Sequence, residues 1–165
     1  MSDTLYDRYK GALRRGHVAA MRGRLDAAVL AYAEAAEIAP ERPLPHTSRG
    51  GVLLRLERPA DALAAFDAAL QRESRDEAAL AGRAEALAGL GRRVDAARSL
   101  DLLVDVQVSA GRLAEACDTA RRALELAESR ERRRTWARWP NSFARCRRTR
   151  RRLPRSSARS ACWSR

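Results

Sequence analysis

The sequence predicts an all-α protein built as a solenoid of antiparallel helix pairs. Alanine and leucine, which favour helices, are abundant, whereas β-branched residues are few and no alternating apolar pattern typical of strands occurs. Small and aromatic residues also recur with a period of 34 residues. A fixed period of that length is typical of repeat architectures, in which each unit buries its apolar face against its neighbours.

Close helix packing is predicted where glycine recurs in phase with an aromatic residue. Gly16 and Gly50 are 34 residues apart, as are Tyr32 and Phe66, and Leu100 continues the aromatic slot. Glycine inside a helix costs about 1 kcal/mol relative to alanine, which is tolerable where the missing side chain lets another helix approach. We expect the large residues to fill the space between units. Three further slots keep this phase: Arg15, Arg49 and Arg83; Ala28, Ala62 and Ala96; and Ala35, Ala69 and Leu103.

Other glycines are predicted to end helices. Gly23, Gly91 and Gly111 follow helical patterns, at the position where glycine readily adopts the left-handed conformation that stops a helix. Gly23 and Gly91 are 68 residues apart, and Glu57 occupies the slot between them. Pro40 closes the first unit, because proline cannot continue a helix.

The run from Gly23 to Pro40, GRLDAAVLAYAEAAEIAP, resembles the second helix of the tetratricopeptide repeat, a helix–turn–helix unit of 34 residues. The resemblance covers about residues 9–129 and implies a right-handed α-solenoid of about three and a half repeats. The sequence departs from the family pattern at Glu57 and Ser74, where glycine and proline are usual.

The predicted repeat domain spans residues 1–130. Its units lie at about 9–42, 43–76 and 77–110, followed by a closing helix at 112–129. Gly91 and Gly111 are only 20 residues apart, so one long helix near residues 93–109 is predicted to serve two units.

The resemblance implies that the first helix of each unit lines a concave groove, which binds a peptide or helix of another protein. The predicted groove residues are Leu13, His17, Ala20, Thr47, Gly51, Leu54, Ala81, Glu85 and Ala88. Family members that clamp a partner's terminal carboxylate do so with lysine, arginine and asparagine. The corresponding slots here hold Leu13, His17, Ser48, Ala78 and Gly82. The clamp is therefore predicted to be absent, and the mostly apolar groove suits an amphipathic helix better than an acidic tail.

The net charge of +12 lies entirely at the C-terminal end. Residues 1–130 contain 20 basic and 20 acidic residues, whereas residues 131–165 contain 13 and 1. Arginine with interleaved tryptophan is the chemistry of RNA or single-stranded DNA binding, through phosphate attraction and base stacking. The candidate nucleic-acid contacts are Arg132, Arg133, Arg134, Trp136, Arg147, Arg148, Arg150, Arg151 and Arg152.

Three other interpretations of residues 131–165 stay open. Like charges repel each other, so the segment is expected to be irregular and disordered on its own. It is also compatible with a fusion remnant. The abrupt change of composition would equally follow from a shifted reading frame in a GC-rich gene.

The sequence predicts a binding protein and no enzyme. Cys117, Cys146 and Cys162 are too widely spaced for a zinc site, and the two histidines are 29 residues apart. Neither a glycine-rich phosphate loop nor a nucleophile elbow occurs. We therefore expect a protein-binding scaffold without cofactor or metal. The alternative is a nucleic-acid-associated protein that would use the tail alone for this contact.

The remaining expectations concern location and assembly. No segment approaches the roughly 18–20 apolar residues of a membrane span, and the N-terminal residues do not resemble a secretory signal. A cytoplasmic protein that does not bind membranes is therefore expected, as a monomer or as a weak homodimer formed through the closing helix. The bias of 32 arginines to one lysine favours a bacterial source.

Overall fold

The computed structural model describes residues 4–128 together with Arg132 and Arg134. This part of the chain contains seven α-helices and no strand, which confirms the predicted all-α class. The helices are α1 (Leu5–Met21), α2 (Leu25–Ile38), α3 (Pro43–Arg55), α4 (Pro59–Arg72), α5 (Glu77–Gly89), α6 (Arg93–Ser109) and α7 (Leu113–Leu126). None of these helices is both long and apolar enough to cross a membrane.

Each helix packs against the next one along the chain. In addition, α3 packs directly against α5, whereas no comparable packing joins α2 to α4 or α4 to α6 within the described residues. This direct contact shows that α3 and α5 lie close together on one side of the stack. The longer α6, with 17 residues against 14 in α2 and α4, packs against both α5 and α7.

Four short turns with the same geometry reverse the chain. Gly23, Gly91 and Gly111 have φ angles of 75°, 75° and 74°, as predicted for glycines that follow helices. In the turn after α5, the N–H of Gly91 donates to the carbonyl of Ala88 at 3.0 Å. The next N–H donates to the carbonyl of Leu87 at 2.9 Å, which completes the paired hydrogen bonds of a Schellman motif.

Glu57 takes the glycine position in the turn after α3. Its φ of 56° makes it the one non-glycine residue with a positive φ in the described part of the chain. The same hydrogen bonds hold it, because its N–H donates to the Leu54 carbonyl at 3.0 Å. An L-residue in this conformation costs about 1–2 kcal/mol, because Cβ crowds the following carbonyl oxygen.

We expect Glu57→Gly to stabilise the protein. Relief of the left-handed strain exceeds the extra backbone entropy that glycine adds to the unfolded chain, about 0.5–1 kcal/mol. Thermal unfolding should show an increase in Tm of about 2–4 °C. The reciprocal control Gly91→Ala should lower Tm, and a Glu57→Gly variant with an unchanged or lower Tm would contradict this interpretation of the turn.

Three contacts between a glycine and an aromatic ring let neighbouring helices pack closely. These glycine–aromatic contacts are Gly16–Tyr32, Gly50–Phe66 and Gly82–Phe66. A Cβ added at Gly16 would lie 2.5 Å from Cε1 of Tyr32, and one at Gly50 would lie 2.7 Å from Cε1 of Phe66. A Cβ at Gly82 would collide with Cζ of the same Phe66 ring. The ring is therefore held between α3 and α5, and only 2% of Phe66 is exposed.

The repeat phase predicted a close helix approach at Gly16 and Gly50 and space-filling side chains at Tyr32 and Phe66, but it did not predict a close approach at Gly82. Its equivalents in the preceding units are Arg14 and Ser48, so the slot shows no repeated small residue. In the third unit, Ala84 and Leu100 lie together in one buried cluster. Alanine thus replaces the glycine of the earlier units at position 84, and the smaller leucine replaces the aromatic residue at position 100.

We expect Gly50→Ala and Gly51→Ala to have opposite effects, although the residues are neighbours in α3. A Cβ at Gly51 meets no atom within 4 Å, so alanine there gains helix propensity at no steric cost. At Gly50 the new methyl displaces the Phe66 ring, and overpacking of this kind typically costs about 1–3 kcal/mol. Urea unfolding measures both. Equal midpoints for the two variants would show that the glycine–aromatic contacts are not tight.

Candidate peptide-binding groove

All predicted groove residues lie on α1, α3 and α5, and we call the surface that they are predicted to share the inner face. Each helix contributes three: Leu13, His17 and Ala20 on α1; Thr47, Gly51 and Leu54 on α3; and Ala81, Glu85 and Ala88 on α5. None of the nine is fully buried; His17 and Glu85 are exposed, and the others are half-buried. Their accessibility is compatible with the predicted groove, and their role in binding stays a prediction.

The floor of this face is shallow and apolar, because its larger side chains also support the core. Leu13 packs against the clusters around Tyr9 and around Tyr32. Leu54 packs against the cluster that contains Phe66. Gly51 lies at the middle of the face, where no atom fills the space that its missing Cβ leaves.

His17 is fixed in position by Tyr32. The Tyr32 hydroxyl and Nδ1 of His17 are 2.8 Å apart and hydrogen bonded, and the two rings meet edge to face with centroids separated by 5.4 Å. Burial raises the pKa of Tyr32, so its phenol stays protonated. Because Nδ1 is used by Tyr32, Nε2 is the imidazole nitrogen that can meet a ligand on the exposed side.

Thr47 has a structural partner that sequence reasoning missed. Its hydroxyl donates to Oδ2 of Asp76 at 2.6 Å, while Oδ1 of Asp76 accepts from the N–H groups of Ala78 and Ala79 at 3.0 and 3.3 Å. Asp76 is therefore the N-cap of α5, and Thr47 holds it in place from α3. The only sequence signal was an aspartate directly before a helical pattern.

A cleft extends the groove at its C-terminal end. Glu85 and Ala88 line it from α5, together with Arg122 and Glu125 from α7, and its volume is about 340 Å³. Arg93 borders the same cleft and donates to the backbone carbonyls of Glu125 and Leu126 at 3.1 and 3.2 Å. These carbonyls have no partner within α7, so α6 caps the end of the closing helix.

No protein-family model matches the sequence, and no curated protein matches it either. Solved structures do match its fold. The TPR2B domain of yeast Sti1, in its pHsp70 complex, has a TM-score of 0.68 and 20% identity over 74% of this chain and 98% of its own. The Arabidopsis OM64 TPR domain has a TM-score of 0.65 and 18% identity, with the same coverage.

The second TPR domain of human RPAP3, in complex with the HSP70 peptide SGPTIEEVD, has a TM-score of 0.62. Its identity is 15% over 68% of this chain and 98% of that domain. The chain has the tetratricopeptide-repeat fold. The resemblance stated from the sequence is thus confirmed at the level of the fold.

The positions predicted to correspond to the carboxylate-clamp slots have other contacts in this structure. Gly82 supports the Phe66 ring, and Ser48 approaches the Tyr32 hydroxyl closely enough to influence its pKa. Leu13 packs into the core, and Ala78 is exposed at the first turn of α5. None of the slots thus presents a lysine, arginine or asparagine.

The recurring arginines of the repeats bind within the chain. Arg15 forms an ion pair with Glu34 at 2.6 Å, which joins α1 to α2. Arg83 pairs with Asp67 of α4 at 2.6 Å and also donates to the hydroxyl of Ser99 at 3.2 Å. Two of the three recurring guanidinium groups are therefore occupied by neighbouring helices.

His46 lies half-buried at the start of α3, with its Nε2 buried and without a hydrogen-bond partner in the described part of the chain. Burial lowers its pKa first of all, and the positive charges of Arg72 and Arg49 lower it further. The side chain is therefore held neutral between the units.

Most of the predicted nucleic-acid contacts lie outside the described residues. These are Arg133, Trp136, Arg147, Arg148, Arg150, Arg151 and Arg152, and the proposals for the tail at 131–165 lie there too. Of the two arginines that are described, Arg134 is exposed. Arg132 instead contacts both carboxylate oxygens of Asp101 on α6, at 2.8 and 3.1 Å, and only 13% of its side chain is exposed.

No group of three or more His, Cys, Asp or Glu side chains that could hold a metal ion occurs among residues 4–128. Cys117 is buried on α7.

Proposed function

We propose that this protein is a non-enzymatic scaffold that binds a segment of another protein along α1, α3 and α5. The observation that carries the proposal is the accessibility of the inner face: its nine side chains lie on α1, α3 and α5, and none of them is fully buried. The similarity to TPR domains solved with HSP70 and HSP90 peptides supports it.

The bound segment is an amphipathic helix. The peptides in the neighbouring complexes, SRMEEVD and SGPTIEEVD, end in acidic residues. The slots that would meet such an end here hold small or apolar residues and a histidine, and the face is shallow around Gly51. A helix with one apolar stripe fits this surface, because it supplies several weak anchors at i, i+3, i+4 and i+7 spacing.

Glu85 determines which part of the bound helix carries a basic residue. It is exposed at the C-terminal end of the groove, beside Arg122 and Glu125 of the cleft. His17 lies at the other end, where its Nε2 can donate to an acceptor. A partner helix with a basic residue over α5 and a hydrogen-bond acceptor over α1 therefore complements the groove.

A peptide-display selection against the full chain tests this proposal. The selected peptides should be helical, with an apolar stripe, and should bind the purified protein in fluorescence anisotropy. Gly51→Arg places a long side chain in the open middle of the face and should weaken binding by about tenfold or more, or about 1.4 kcal/mol. The control Leu30→Arg adds the same side chain to an exposed position on α2 and should leave binding unchanged.

Two results would contradict the proposal. One is the recovery of peptides whose binding survives Gly51→Arg, since the ligand would then lie elsewhere. The other is preference for a single-stranded oligonucleotide over every peptide, with affinity that falls steeply as salt rises. That second result would favour the alternative, nucleic-acid association through the charge of residues 131–165.

A further inference from the structure

The first helix presents to solvent a face that is covered in both later units. Val18 is 41% exposed, whereas its equivalents 34 and 68 residues further on, Val52 and Ala86, are 5% and 0% exposed. Those two are buried because α3 packs against α2, and α5 packs against α4. Within residues 4–128, no helix covers the corresponding face of α1.

This uncovered face, which we call the end face, forms a cleft of about 270 Å³. It has an apolar floor and a rim of guanidinium groups. The cleft is lined by Arg14, Arg15, Val18, Ala19, Arg22 and Arg24. The end face lies on a different side of α1 from the groove residues, because Val18, Ala19 and Arg22 are each about 100° or more around the helix from Leu13, His17 and Ala20.

Most of the positive charge on the rim is not neutralised. Arg15 pairs with Glu34, at 2.6 Å. Among the described residues, no carboxylate lies within 4.0 Å of Arg14, Arg22 or Arg24. The cleft therefore carries a local excess of positive charge, although residues 1–130 as a whole are neutral.

The third unit shows how a covering helix meets this face. Arg83, the equivalent of Arg15, donates from Nε to Oδ1 of Asp67 at 2.6 Å, and Asp67 belongs to the covering helix α4. The covering helix also places Phe66 against Gly82, the equivalent of Arg14. On the end face the long Arg14 side chain takes the place of that glycine, so a covering helix must present a carboxylate there instead of an aromatic ring.

We propose that the end face binds an acidic amphipathic helix of a partner protein. The apolar side of that helix covers Val18 and Ala19, as α2 and α4 cover the later units. Its carboxylates pair with Arg14, Arg22 and Arg24. Charge complementarity and the exposed apolar floor both select this ligand, and the site does not depend on the groove.

The probe for this site comes from the chain itself. A helix-stabilised peptide with the sequence of residues 59–72 and the substitution Phe66→Glu gains a carboxylate for Arg14. It also keeps Asp67, which in the third unit meets Arg83, the equivalent of Arg15. We expect saturable binding to the full chain in fluorescence anisotropy. The unsubstituted peptide should bind about tenfold more weakly, because its phenylalanine meets Arg14.

Two matched charge reversals locate the binding. Arg14→Glu should weaken binding of the acidic peptide by about tenfold or more. Arg98→Glu, the same change at an exposed position of α6, should alter this binding by less than about twofold. A peptide with lysine at positions 66 and 67, where the probe has its two carboxylates, should bind the Arg14→Glu variant more tightly than it binds the wild-type protein. Circular dichroism establishes that both variants keep their helices.

The proposal is overturned by any of four results. These are no saturable binding at millimolar peptide, equal weakening by both reversals, tighter binding of a single-stranded oligonucleotide through Arg14, or a self-association that Arg14→Glu abolishes. The last two would assign the end face to nucleic acid or to a second copy of the chain.

Discussion

The glycine–aromatic contacts determine how closely the helices stack, and the inner face depends on that spacing. Phe66 lies between Gly50 and Gly82, so one ring fixes the distance between α3, α4 and α5. Tyr32 makes the equivalent contact with Gly16 and also orients His17. Packing that positions the core therefore also positions a groove residue. A change of one methyl group in these contacts is expected to move the surface on which a partner would lie.

Tight turns and polar contacts between units also stabilise the helix stack. Left-handed residues after α1, α3, α5 and α6 reverse the chain within three residues, so successive helices must lie side by side. Polar side chains then join units across the stack, as Thr47 does with Asp76 and as Arg112 does with Glu77. Arg93 caps the end of α7, which allows α6 to serve two helix pairs. Within the described residues, α7 is therefore held at both of its ends.

The repeat phase predicted those parts of the fold that recur. The repeated positions hold glycine at 16 and 50 and an aromatic residue at 32 and 66. In the structure Gly16 contacts Tyr32 and Gly50 contacts Phe66, because these two units pack their helices with the same residue types. Gly82 could not be found in this way, since its equivalents are larger. Single polar contacts such as that of Thr47 depend on the tertiary structure alone. The groove positions are implied by the resemblance to the tetratricopeptide repeat and stay a prediction, because the ligand depends on exposed side chains that the fold does not constrain.

The most direct test is a double-mutant cycle between Gly82 and Phe66, measured by urea unfolding of the full chain. Alanine at position 82 should lower the free energy of unfolding by about 1–3 kcal/mol when Phe66 is present. In a Phe66→Leu background, the smaller side chain leaves room for the methyl group, so this loss should shrink by about 1 kcal/mol or more. An equal loss of unfolding free energy in both backgrounds would show that the Phe66 ring does not determine the helix spacing.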